Sequence, residues 1–287
     1  RDKGGNLDAS YRLRELPLAL LMSASGNADL PLRAEGTLDG NGKIRRTAAG
    51  ALSGNADISS ASGSVAYTDR SEQPLLRYDQ LRVAATLSPA SQRVDIHSGL
   101  DDNGRLDGQI TLTGTQQALA GQIDLKLNNL AFIELLSTDV ANARGRLDGS
   151  FRFAGTLAQP AITGRADLAD FAAELPAIGL KLSHGSLAVS TIDAQQFRVD
   201  GSVQSGKGSM AINGVAGIGA NAQTAITLKG SGVTAVDIPS ARVVISPDLV
   251  VKQDAQGLDI GGGLVIDSAE VNADRLSGSG TIKASPD

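Results

Sequence analysis

The sequence predicts an all-β fold made of short, repetitive strands with one buried face. Three observations carry this prediction: apolar and polar residues alternate with period two, glycines bound the alternating runs, and segments with helical periodicity are almost absent. The 287 residues include 34 glycines but only 5 Phe, 3 Tyr and no Trp. Leu, Ile, Val and Ala must therefore supply the buried surface.

The first part of the chain carries the weaker strand patterns. The apolar cluster LPLALLM, residues 16–22, does not alternate and predicts a short helix. Residues 47–64 are rich in Ala, Ser and Gly, and this composition fits either a weak strand pair or a loop. The polar segment 68–74 predicts a loop.

Alternation is regular from residue 81 onward, apart from the cluster LAFIELLS (130–137), which predicts a second short helix. All runs together predict about 14 strands of ordinary length. The residues expected on the apolar face are Ile110, Leu112, Ile123, Leu125, Leu127, Leu147, Phe151, Phe153, Leu180, Leu182, Leu187, Val189, Phe197, Val199, Val203, Met210, Ile212, Ile226, Leu228, Val243, Ile245, Leu258, Ile260, Leu264 and Ile266.

A repeated motif indicates how the strands are organised. GxLDG occurs at 36–40, 104–108 and 145–149, and each copy is followed by a related segment, GNADI, GQIDL or GRADL. Self-similarity of a strand–turn–strand unit is typical of an elongated array. Because the copies are unevenly spaced, a meandering sheet fits better than a solenoid with one coil length.

An apolar sheet face must be covered by a second sheet, by closure into a barrel, or by a ligand. With almost no helix available, the sequence leaves a sandwich, a barrel, or a curved sheet that forms a trough with an apolar concave wall. Glycines within strands favour curvature.

Composition argues against several functional classes. A net charge of −5 does not provide the positive field that nucleic acid or an anionic membrane surface requires. The chain has no cysteine, and its longest clean apolar run is far below the ~20 residues of a membrane-spanning helix. We expect any targeting or anchoring segment to lie outside this sequence.

Motifs that suggest chemistry have simpler explanations. GKGSMA (206–211) and GIGANA (217–222) match a dinucleotide fingerprint but open no predicted helix. A calcium loop starting at Asp101 would place Leu112, not glutamate, at its twelfth position. We therefore interpret all three as turns.

The titratable residues also indicate no reactive site. His97 and His184 are far apart in sequence and are expected in turns or on the surface. Repeated aspartates indicate structural duplication, since they occupy equivalent positions of the motif: Asp39, Asp107 and Asp148. We expect no catalytic residue, no metal site and no cofactor.

Residues 130–189 contain a small helix, GRLDG, AGTLAQPAITG and LPAIGLKL in an order that resembles the TamB family of AsmA-like proteins. Residues 238–271, with SPDLVV, resemble a later segment of the same family. On this basis residues 1–129 form the N-terminal part of one elongated array, and 130–287 form the part that most resembles the family.

The resemblance implies a β-trough, or β-taco, in the periplasm, and a function without catalysis. Phospholipid acyl chains, or strands of outer-membrane proteins, would be guided between the two membranes, and the apolar-face residues would line the groove. It also implies two attachments through segments outside this sequence: an inner-membrane anchor and a region that meets the outer-membrane barrel TamA.

The residues alone leave another interpretation open. The same alternation fits a structural solenoid or stalk of a surface protein with a closed, dry core, in which the inward side chains, particularly Phe151, Phe153 and Phe197, only pack against each other.

Overall fold

One antiparallel sheet of 16 strands makes up most of this computed structural model, which describes residues 6–20, 32–68, 73–219 and 222–272. The strands are β1 (Leu7–Pro17), β2 (Leu32–Arg46), β3 (Leu52–Tyr67), β4 (Leu76–Leu87), β5 (Ser91–Leu100), β6 (Gly104–Thr113), β7 (Ala118–Leu127), β8 (Ala141–Gly155), β9 (Pro160–Leu175), β10 (Leu180–Asp193), β11 (Gln196–Ser205), β12 (Gly208–Gly217), β13 (Thr224–Ser231), β14 (Val233–Ile238), β15 (Ala241–Asp254) and β16 (Gly257–Val271). Three 3₁₀ helices interrupt them: η1 (Asp101–Asn103), η2 (Ala131–Leu135) and η3 (Pro176–Ile178).

Strands pair in chain order from β1 to β13. β13 and β14 then pair with successive parts of the same edge of β15, and β16 pairs with its other edge. Within the described ranges there is no second sheet and no pairing of β1 with β16. The fold is therefore a curved, open sheet, the all-β trough that the sequence predicts, and neither a sandwich nor a barrel.

The strands end along two opposite sides of the sheet, and the connections at these two sides differ. At the first, which we call the turn edge, strands are joined by short connections: residues 47–51, 88–90, 114–117, 156–159, 194–195, 218–223 and 255–256. At the second, which we call the closed edge, β3 ends, β4 begins, and η1, η2 and η3 lie. Pairing in chain order puts every other connection on the same edge.

Most buried apolar side chains lie in the half of the sheet next to the closed edge. They are Ala34, Leu38, Ala66, Tyr67, Leu75, Leu127, Leu130, Ala143, Ala172, Ala173 and Val233. Leu130 is 1% exposed, and the hydroxyl of Tyr67 at the end of β3 donates a hydrogen bond to the carbonyl oxygen of Glu134 in η2 at 2.7 Å. This bond connects the end of β3 to η2, which lies between β7 and β8. It therefore links the segments that precede and follow the short strands β4–β7.

β-Bulges bend the sheet along this half. Non-glycine residues with positive φ interrupt the register of five strands: Glu15, Gln80, Asn142, Asp170 and His184. An extra residue in one strand bends it and increases its twist. Because all five bulges lie toward the closed edge, we infer that the strands bend most in that half of the sheet.

Local expectations from the sequence are resolved as follows. Residues 18–20 are helical, Leu16 and Pro17 belong to β1, and residues 21 and 22 lie outside the described residues. The undecided stretch 47–64 is a turn followed by most of β3. Residues 69–72 of the expected loop also lie outside the described residues, and the helix expected at 130–137 is η2.

Candidate apolar groove

Side chains of directly paired residues share a face of an antiparallel sheet, so the register defines rows across the strands. One row runs over nine strands through Leu127, Leu147, Leu168, Leu187, Gly201, Ile212, Leu228, Leu249 and Gly262. The neighbouring row runs through Leu106, Leu125, Gly149, Ala166, Val189, Val199, Gly214, Ile226, Val251 and Ile260. Both rows contain only aliphatic residues and glycine.

The remaining predicted residues lie on the same face. Ile110 and Phe153 share a row through Gly121, and Ile123 and Phe151 are directly paired. The others have these partners: Leu112 with Leu119, Leu180 with Leu175, Leu182 with Ser205, Phe197 with Ala216, Val203 with Met210, Val243 with Ala269, Ile245 with Ile266, Leu258 with Gln253 and Leu264 with Pro247. We call this surface the apolar face. Its contact with a lipid stays a prediction.

This face is accessible along most of its length. Its side chains are mostly half-buried, and Val94 in β5 is 43% exposed. Near the closed edge, β14 packs against the ends of β10, β11 and β12. On β16 exposure is greater, reaching 66% for Leu258. A closed, dry core of the kind expected for a stalk is therefore not present in the described residues.

Aromatic rings lie over glycines on adjacent strands. A Cβ at Gly42 would meet the ring of Tyr11, and one at Gly63 would meet that of Tyr78. Covering a strand glycine with a neighbouring ring is a known stabilising device, aromatic rescue. The rings of Tyr11 and Tyr78 thus cover main-chain atoms that glycine would otherwise leave exposed.

Phe151 and Phe197 form an edge-to-face pair with ring centroids 6.2 Å apart, although three strand spacings separate β8 from β11. Gly164 and Thr191 lie between them, and the Thr191 hydroxyl donates to the Gly164 carbonyl at 2.9 Å. The small residues let the rings lean toward each other. The pair narrows the apolar face at this point, and Phe197 is buried while Phe151 and Phe153 are half-buried.

The opposite, outward face carries the charges. Arg93 donates to Asp95 at 2.7 Å and Lys229 to Asp248 at 2.7 Å. The hydrogen bond from Arg93 lowers the pKa of the Asp95 carboxyl, and the hydrogen bond to Asp248 raises the pKa of Lys229. These pairs are exposed, so they contribute to solubility more than to stability.

The histidines and the repeated aspartates also lie outward. His97 Nδ1 is 2.6 Å from Asp107 Oδ1, and exposed His184 occupies a bulge. Asp39 accepts a hydrogen bond from the main-chain nitrogen of Glu15 at 3.1 Å. Asp148 lies opposite Lys126 and Asp167, so the repeated positions have different partners.

The described residues contain neither a membrane-spanning helix nor a cluster of metal ligands. No helix is long and apolar enough to cross a bilayer. No group of three or more histidine, aspartate or glutamate side chains is placed to hold a metal ion.

Sequence reasoning missed part of the wall. Leu106, Leu168, Leu249 and Val251 belong to the two long rows, and Ile96 extends the face into β5. Leu106 and Ile96 have polar neighbours on both sides, so their signal was present in the sequence, whereas Leu168, Leu249 and Val251 each have one apolar neighbour. The bulges carried no such signal, since glutamine, asparagine, aspartate and histidine occupy them.

Comparison with protein families gives two matches. The TamB N-terminal domain matches residues 3–168, and the TamB C-terminal domain matches residues 195–285. No solved structure matches the chain significantly. Proteins of this family have a role in the translocation and assembly module or in lipid transport, and they extend through the periplasm from the inner membrane. With more than half of its length matched by the N-terminal domain alone and a sheet of the expected kind, the chain belongs to the TamB family.

Proposed function

We propose that this chain is a segment of a periplasmic bridge that conducts phospholipid acyl chains between the inner and outer membranes along the apolar face. The observation that carries the proposal is the continuity of the aliphatic rows across the strands. A phospholipid moving along this surface would meet no charged side chain within those rows.

The energetic need for such a path is large. Exposing acyl chains to water costs about 0.8 kcal/mol per methylene, so a two-chain lipid faces a cost on the order of 20 kcal/mol. Half-buried aliphatic side chains offer a surface that removes much of this cost without holding the lipid in one place. No bond is made or broken, so the role requires no catalytic group.

The length of the sheet suits a bridge. With strands about 4.8 Å apart, the paired array extends roughly 65 to 70 Å. We propose that longer passage depends on attachments beyond this segment, to the inner membrane at one end and to the outer-membrane barrel TamA at the other. The barrel and the membrane would then define where lipids enter and leave.

Photo-crosslinking at neighbouring positions tests the groove. A photoreactive amino acid replaces Ile212 or Leu228 on the apolar face, or outward Lys229, and each variant is incubated with phospholipid vesicles. Lipid adducts are expected at the first two positions and not at Lys229, which adjoins Leu228. Equal labelling on both faces, or none on the apolar face, would contradict the proposal.

A second client class is favoured by one observation. Among the described residues, β16 pairs only with β15, and its exposed side chains include Val265 and Ile266. A hydrophobic strand of an outer-membrane protein could pair with its outer edge by strand addition. A peptide of such a strand should then slow amide hydrogen exchange in β16 but not in β7, and exchange unchanged in both would argue against this client.

A further inference from the structure

The two edges that border the apolar face differ in burial. Next to the closed edge, Tyr67, Leu130 and Ala173 are at most 3% exposed, and polar Ser205 is also buried, with its hydroxyl donating to the Thr234 carbonyl at 2.7 Å. Next to the turn edge, Val94 on the apolar face is 43% exposed, although Phe197 near the start of β11 is buried. Next to the closed edge, the exposed apolar side chains are Leu136, which follows η2, and Ile178 in η3. A molecule can therefore reach the apolar face from the turn edge more readily than from the closed edge.

The edges also differ in charge. No residue of the connections at the turn edge is Asp, Glu, Lys or Arg. The described connections at the closed edge contain Asp101, Asp102, Glu134 and Asp139, with Lys207 as a cation. The strands that end at the turn edge add Arg46, Asp193 and Asp254, and the two carboxylates accept hydrogen bonds from the main-chain nitrogens of Gln195 and Gln256. With fewer acidic groups there, an anionic phosphate is repelled less at the turn edge than at the closed edge.

A row of glutamines marks the turn edge. Five of its connections end in glutamine immediately before the next strand, and these residues are Gln117, Gln159, Gln195, Gln223 and Gln256. All five are exposed, and successive members are separated by two or more strand spacings, roughly 10 Å or more. An amide offers two hydrogen-bond donors without adding charge.

From these three differences we propose that phospholipids lie parallel to the strands, with their phosphate headgroups along the turn edge and their acyl ends toward the closed edge. This rests on the proposed lipid function. The glutamine amides donate hydrogen bonds to phosphate and ester oxygens, and the aliphatic rows receive the chains. Lipids then move along the sheet in one orientation, with the headgroup in water throughout.

Two photoreactive phosphatidylethanolamine probes test the orientation. One carries a diazirine on its headgroup and the other carries it at the end of an acyl chain, and each is cross-linked to the 287-residue chain and mapped by mass spectrometry. The headgroup probe should label residues at or beside Gln159 and Gln195. The acyl probe should label the half of the apolar face that contains Leu127 and Leu182.

The outcomes separate the two proposals. Headgroup labelling at the closed edge, or the same sites for both probes, overturns the orientation but leaves the groove intact. No labelling of the apolar face by either probe overturns the groove and the orientation together.

A matched pair of variants measures the contribution of the glutamines. The double variant Gln159→Glu, Gln195→Glu adds two negative charges at the turn edge, and Gln122→Glu, Gln204→Glu adds the same charge on the outward face. The first should retain about fivefold less phospholipid, since like charges near a solvated phosphate repel moderately, while the second stays unchanged. An equal effect of both doubles would show that only total charge matters and would overturn the role of the glutamines.

Discussion

The strands β5–β7 and the strands β8–β10 form neighbouring parts of one sheet but bend differently. Each strand of the first group has 10 residues, and the pairings β5–β6 and β6–β7 contain no register shift. Those of the second group have 14 to 16 residues, and register shifts interrupt the pairings β8–β9, β9–β10 and β10–β11. The residues beyond the bulges supply the buried closed edge, so strand length and bulges together determine where the trough is closed.

The largest expected difference in stability is between substitution of a buried leucine at the closed edge and substitution of an exposed valine in the short strands. Leu130→Ala should lower the free energy of unfolding by about 3 kcal/mol, because it creates a cavity in packed surroundings. Val94→Ala should cost less than about 1 kcal/mol, since Val94 already contacts water. Urea denaturation of both variants makes the comparison, and similar costs would show that the two regions are equally packed.

A glycine pair within β8 and β9 tests how strongly the backbone of the long strands is constrained. Gly164 has a φ of +153°, and a Cβ there would overlap the carbonyl oxygen of Ser150. Gly164→Ala should therefore cost about 2 kcal/mol. At Gly149 the nearest atoms to a Cβ lie 3.5 and 3.6 Å away, so Gly149→Ala should change stability by less than about 0.5 kcal/mol. Thermal melting of both variants gives the answer, and a neutral Gly164→Ala would remove the argument for a constrained backbone.

The hydrogen bond between β3 and η2 offers a smaller, local test. Tyr67→Phe keeps the ring and removes the donor to Glu134, at an expected cost of about 1 kcal/mol. Amide hydrogen exchange should accelerate in residues 131–136. Tyr11→Phe, which removes a longer bond of 3.2 Å to the carbonyl of Asp57, should leave that segment unchanged. Exchange in η2 that is insensitive to Tyr67→Phe would show that packing alone holds it.

The smallest effect concerns the outward face of β5. The pKa of Asp95 is lowered by its hydrogen bond with Arg93, so the folded state holds this carboxylate ionised more readily than the unfolded state does. Its contribution to stability is present above the unfolded pKa, about 3.9, and is lost as the pH falls through the lower folded pKa. Asp95→Asn should slightly weaken this acid dependence of the urea midpoint. An identical pH profile would show that the exposed pair contributes nothing.

The side of the sheet on which a residue lies was easier to predict than the positions at which the strands bend. Alternation assigns Ile123, Leu125 and Leu127 to one side whatever their partners, because successive side chains in a strand point to opposite faces. A bulge depends on how two strands align, and residues such as Gln80 and His184 resemble ordinary strand residues in the sequence. The closed edge was missed for the same reason, since the contact between Tyr67 and Glu134 joins residues far apart in the sequence.

Composition left strand and loop undecided for the region with small side chains. The Ala- and Ser-rich region of β3 forms a long strand because β2 and β4 supply partners on both sides. Its own residues contribute little propensity, so tertiary pairing decides the outcome. Pattern and register define the apolar face, and the cross-linking tests measure the proposed contact with lipid.

Because the strands pair in chain order, the number of strands determines the length of the sheet. Since each of the strands β1–β13 contacts mainly its neighbours in sequence, one hairpin could be added or removed without changing the face on which any other residue lies. Each such step would alter the length by roughly 10 Å and keep the aliphatic rows continuous. Under the proposed function, the number of hairpins would set the distance that the sheet spans between the two membranes. Folding could proceed by successive pairing of neighbouring strands from either end, because few long loops have to close.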